Sequence, residues 1–147
     1  MTKRLFIFLL IIEGVLAFVS ARKLPHVKTA KIQIGDTALT VEIADTPQLR
    51  EKGLSGRLNL SNNHGMLFVF PKPDRYTFWM KDMKIPLDFV WIANNRVVDL
   101  TPNVPPPAPG ETLKTYQPQE PVDMVLELNA GDISQLGISL NQTLYTK

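Results

Sequence analysis

The chain contains no cysteine. Disulfides, iron–sulfur clusters, thiolate zinc sites and cysteine nucleophiles are therefore excluded. Histidine is nearly as scarce. His26 and His64 are the only two, and their separation does not match metal-ligand spacing. No metal and no cofactor is expected. An excess of one charge is also missing: sixteen basic residues face fourteen acidic ones, a formal +2. Dedicated nucleic-acid binders usually show a basic stripe or cluster, so no nucleic-acid partner is expected. Nor is any internal repeat evident.

What remains is ordinary globular material. The chain has 147 residues, 44% hydrophobic and 20% charged, enough for one domain and short for two. Composition and spacing alone do not name a function.

The amino terminus has a distinct layout. Lys3 and Arg4 form a positive head, and Leu5 to Ile12 are all large and apolar. The apolar run resumes at Val15 and ends at Val19, before Ser20 and Ala21. A basic head, an apolar stretch and small residues are the parts of a secretory signal peptide. Residues 1–21 are read as that peptide, with cleavage after Ala21. The alternative is an uncleaved anchor. Leu5 to Val19 would form roughly 22 Å of helix, short of a ~30 Å hydrocarbon core. Glu13 at the bilayer centre would cost about 3 kcal/mol. Both readings place the domain outside the inner membrane, periplasmic or extracellular, with the membrane touched only through this segment.

Residues 22–28, polar with Pro25, are read as a tether, and residues 29–147 as a single domain. Ala30, Ile32 and Ile34 alternate with polar residues; so do Leu39, Val41 and Ile43. Alternation of this kind predicts two half-buried strands, joined at Gly35-Asp36 as a hairpin. Asp45 or Thr46 is placed to cap a short helix that starts at Pro47 and stops near Gly53. GMLFVF (65–70) reads as a buried strand ended by Pro71 and Pro73. YTFWMK (76–81) and LDFVWIA (87–93) read as two more, and Asn94-Asn95 as a tight turn into RVVDLT. Residues 102–110 hold five prolines and should form an exposed loop, because proline cannot donate to a ladder. Val122, Met124, Leu126 and Leu128 share one face of a further strand, with Asp123, Val125 and Glu127 on the other. A short helix is expected from Asn129 to Gln135, and a last strand at 143–146. The fold class is α+β, mainly antiparallel, with a compact, partly closed sheet and one or two short helices.

GLSGRLNL (53–60), GMLFVF (65–70), FWMKDMKIPLDFVWI (78–92) and VLELNAGDISQLGI (125–138) occur in that order. The chain resembles the bacterial and archaeal family called domain of unknown function 192 over residues 30–147. The resemblance implies a compact, mainly β domain. It implies no activity, and this chain carries Asp82-Met83 where the family often has Asn-Thr.

The candidate site comes from the two strands around Ile85-Pro86. Trp79, Lys81 and Asp88 are expected on one face of that pair, with Phe78 and Phe89 on the other. An aromatic plane beside charged groups suits a sugar or small polar ligand. The alternative is a structural Lys81–Asp88 ion pair, with Trp79 filling a second small core. Arg57, after two glycines, could reach an anion or pin its loop. Ser55 lacks the spacing of a nucleophile elbow, and His64 is a loop residue. The leading reading is an exported binding module for a small polar molecule or a glycan, with Arg57, Trp79, Lys81 and Asp88 around the ligand. One alternative is a hydrolase or lyase with an Asp88/Lys81 acid–base pair; another is a structural or assembly factor at the cell envelope. Phe68, Phe78, Phe89, Met124 and Leu126 are expected to share one core cluster.

Overall fold

A computed structural model describes residues 26–146. The expected signal peptide, residues 1–21, lies outside the described residues. Among the described residues no helix is long and apolar enough to cross a membrane.

The first hairpin forms as its alternation dictates. Strand β1 (Lys28–Ile34) pairs antiparallel with β2 (Thr37–Ala44), and Gly35 turns between them with φ 55°. Helix α1 (Pro47–Lys52) follows. Thr46 caps it, its Oγ1 accepting from the Leu49 N–H at 3.2 Å, and Pro47 takes the first position, where an N–H has no helical partner. Gly53 ends the helix with φ 48°. Strand β3 (His64–Asp74) then runs parallel to β2, the one parallel pairing of the main sheet. It extends past Pro71 and Pro73. Those prolines fall where the register with the next partner shifts, between Val69 and Asp74, so neither is asked for a ladder hydrogen bond.

Strand β4 (Phe78–Trp79) is only two residues long. Strands β5 (Leu87–Ala93) and β6 (Arg96–Val104) form the second hairpin. Asn94 and Asn95, with φ 50° and 62°, make its turn, the left-handed pair that matches strand twist. Here the proline-loop expectation needs correction: β6 continues through Pro102 to Val104, which is buried opposite Leu87. A bulge absorbs Pro102, and only the residues after Val104 leave the sheet. Strand β7 (Thr115–Tyr116) pairs with β4 in a separate two-stranded ribbon. Strand β8 (Val122–Asn129), helix α2 (Asp132–Gln135) and strand β9 (Leu144–Thr146) complete the chain.

The main sheet has the order β6-β5-β8-β3-β2-β1-β9. Its ends approach each other: Thr143, just before β9, bridges to Arg96 at the start of β6. The sheet is thus curled and mostly antiparallel, and with its two short helices the fold is α+β.

Both faces of its central strands are covered. On the enclosed side Ile32, Val41, Leu67, Val90, Leu126 and Leu128 pack together, closed by Ile133 and Ile138. On the opposite side Leu49, Leu54, Phe68, Phe89, Trp91 and Val125 form a second cluster, under α1 and the 76–86 segment. The single cluster expected from the strand faces is therefore split. Phe68, Phe78 and Phe89 belong to the second; Leu126 and Met124 belong to the first. The two-residue period was right, but both sides of the sheet are core.

Candidate functional site

The site begins with one residue on β8. Across the sheet, Glu42, Met66, Glu127 and Phe89 lie in register on β2, β3, β8 and β5. The period of two places them on the face of the second cluster. Gly65, next to Met66, lets β3 and β8 close up here: a Cβ at that position would sit 2.6 Å from the Glu127 carbonyl oxygen. Glu127 is buried, and its Oε2 has no hydrogen-bond partner among the described residues.

Above it is a cavity of about 400 Å³, within the range of small-molecule sites. Phe68, Phe70, Tyr76, Phe78 and Trp79 wall it. Phe70 and Tyr76 stack at 3.6 Å, and Phe68 meets Phe78 edge-on at 5.0 Å. Helix α1 supplies Arg50, Glu51 and Lys52 to the opening. Arg50 lies over the Phe70 ring, 5.2 Å from its centre, and donates to the Val69 carbonyl at 2.8 Å. Lys52 donates to the Ser55 carbonyl at 3.0 Å. The loop after α1 is tied to the 80–83 turn by Ser55 Oγ donating to the Lys81 carbonyl and the Gly56 N–H to that of Asp82.

Burial without a partner raises the Glu127 carboxyl to a pKa of about 8; the nearby Arg57 charge offsets this only in part. Glu127 is therefore mostly a neutral acid at pH 7, one O–H donor with spare acceptor capacity. Arg57 is not free to neutralise it. Both its terminal nitrogens donate to Glu42, each at 2.6 Å, and that paired bond raises the guanidinium above its usual range.

The four residues expected around a ligand do not converge. Strand β4 pairs with β7 rather than β5, so the assumed register between Trp79, Lys81 and Asp88 does not form. Trp79 is 55% exposed at the cavity wall. It also borders a second hollow of about 390 Å³, where Lys81 lies with Asp82 and Gln48. Asp88 is fully buried on the enclosed side of the sheet. It accepts from the Asn103 N–H at 2.7 Å and the Ile133 N–H at 2.8 Å, tying β6 and α2 to β5. No Lys81–Asp88 ion pair forms among the described residues. Arg57 pins its loop to β2 through Glu42. The residue missed was Glu127. Its signal was an acid set between Leu126 and Leu128, within the apolar run Met124–Leu128.

The fold is a small α+β domain, a curled sheet with an acid-floored aromatic cavity on its covered outer face. Residues 30–145 match the family of uncharacterised proteins called domain of unknown function 192, and the chain belongs to it. Two crystal structures are similar. One, from Sinorhizobium meliloti 1021, is of a protein described as a proposed transcription regulator; it is 33% identical, with a TM-score of 0.74 over 82% of this chain and 95% of that one. The other, of unknown function, is from Novosphingobium aromaticivorans DSM 12444; it is 29% identical, with a TM-score of 0.72 over 84% of this chain and 89% of that one. No curated protein matches.

Proposed function

We propose that the protein is an exported binding module for a small polar molecule or glycan, held in the cavity above Glu127. One observation carries this reading. A buried carboxyl group has an oxygen without a partner among the described residues, at the base of an aromatic-walled hollow. A buried polar group left unpaired costs about 1–3 kcal/mol, and a ligand hydroxyl or amide would relieve that cost. Aromatic faces beside it suit the apolar face of a sugar ring. The expectation of export rests on the basic head and apolar run of residues 1–21. A likeness to a proposed transcription regulator does not turn the reading towards nucleic acid, because the chain is close to electroneutral.

Thermal-shift screening against sugars and small polar compounds tests it. A ligand at one hundred times its dissociation constant adds about 2.7 kcal/mol of stability. A hit should lose its effect in Glu127→Leu and weaken in Trp79→Ala. Hits indifferent to both variants would contradict the reading. Fusion of residues 1–25 to a reporter active only outside the cytoplasm tests export; a silent, well-expressed fusion would contradict it.

A second reading is favoured by the Glu127 carboxyl itself. An acid poised near neutrality is suited to general acid–base work, in place of the Asp88/Lys81 pair. In that case Glu127→Gln would abolish turnover of a bound compound and leave its binding nearly intact.

A further inference from the structure

The hydrogen-bonding groups around the cavity are unequal in kind. At its base is the Glu127 carboxyl. At its opening Arg50 and Lys52 each use one donor on a backbone carbonyl. A guanidinium has five N–H donors and an ammonium three, so several remain for a ligand. Glu51 is the single acidic group at the opening. With Glu127 neutral, the lining charges sum to one positive. Facing Glu127 from the neighbouring strands are Met66 and Phe89, both apolar. The charge that acts on it is Arg57, itself held on Glu42. Between base and opening lie the aromatic faces.

We propose that the cavity takes a small ring compound bearing one carboxylate. The ring lies on the aromatic wall, the carboxylate meets Arg50 and Lys52, and a hydroxyl at the far end meets the Glu127 carboxyl. The inference rests on the reading of this cavity as a ligand site and names the ligand's chemistry. One negative charge balances the lining, and a guanidinium fork matches a carboxylate. The hydroxyl accepts the proton that Glu127 offers, which satisfies the unpaired acid. An organic cation fits worse, because Arg50 and Lys52 already place two positive charges at the opening. A sugar acid and a hydroxylated aromatic acid share the required chemistry.

Binding that needs Glu127 as a donor is linked to its proton. Affinity should be flat below about pH 8 and fall by up to tenfold per pH unit above it.

Calorimetric titration of the full chain tests this with glucuronate and para-hydroxybenzoate as the acid probes. Glucose and para-hydroxybenzyl alcohol are their neutral counterparts. At least one acid should bind about tenfold or more tighter than its counterpart, and which one does identifies the source. Lys52→Gln, at an exposed position, and Arg50→Gln should remove that preference and leave weak binding. Glu127→Gln should keep binding within a few-fold and abolish the fall above about pH 8. Equal affinity of acid and neutral probe would overturn the proposal and leave the ligand-site reading intact. So would benzylamine binding that tightens as pH rises. Failure of all probes also overturns it; neutral hits in the thermal-shift screen would then show that the site reading survives, and their absence would remove both.

Discussion

Two buried acids lie on neighbouring strands and have opposite surroundings. Asp88, on the enclosed side of β5, accepts one backbone N–H on each carboxyl oxygen. Glu127, on the opposite side of β8, has an Oε2 with no partner among the described residues. Asp88 joins three pieces of chain and has no capacity directed at solvent. The Glu127 side chain ties no described elements together and lines a cavity. Burial alone does not separate a structural acid from a functional one; the partners do.

The largest effect that would break this comparison lies at Asp88. Asp88→Ala removes the acceptor of two N–H groups, the buried one of Ile133 and the part-buried one of Asn103, and a buried donor left unsatisfied costs about 1–3 kcal/mol. Loss of about 3–5 kcal/mol is expected from urea denaturation. A loss below about 1 kcal/mol would mean that these bonds do not hold β6 and α2.

Glu127 should behave in the reverse sense. Its folded form holds a proton up to about pH 8, well above the ordinary carboxylate range. Stability is then full in mild acid and declines as pH rises through the ordinary range towards about 8, by a few kcal/mol in all. Glu127→Gln should flatten that decline and be the more stable protein near pH 8. Denaturation midpoints across the pH range check it, and parallel profiles for the two proteins would contradict it.

Next in size is Phe78, which packs against Phe68, Phe89 and Trp91 at 5.0 to 5.7 Å. Phe78→Ala should cost about 2–4 kcal/mol, at or below the usual range for a core phenylalanine because Phe78 is only half-buried. A loss below about 1 kcal/mol would show that this wall is not part of the core.

The smallest effect is expected after Val104. Replacing residues 105–110 with glycine and serine should change stability by no more than about 1–2 kcal/mol. Loss of folding would mean that the segment covers the core.

Much of the fold was legible because the information is local. The β1–β2 hairpin, the Thr46 cap, the Asn94-Asn95 turn and strands β5 and β8 follow from period and turn chemistry over a few residues. The candidate site was less legible. YTFWMK has a strand's alternation, yet only Phe78 and Trp79 find a partner, and that partner is Thr115-Tyr116, beyond the proline segment. Nothing near residue 79 specifies so distant a pairing. Glu127 falls with Asp123 and Val125 on the face opposite Met124 and Leu126, and strand alternation marks two sides and not which of them is covered. Here α1 and the 76–86 segment cover the second side, and their arrival depends on the parallel β2–β3 crossover through residues 45–63.

The central claim is that Glu127, its Oε2 without a partner among the described residues, is a mostly protonated acid under an open cavity. Carbon-detected NMR of its labelled side-chain carboxyl reads this directly. The carboxyl resonance should titrate with an apparent pKa of about 8. A Glu127 resonance that titrates in the ordinary carboxylate range would contradict the account.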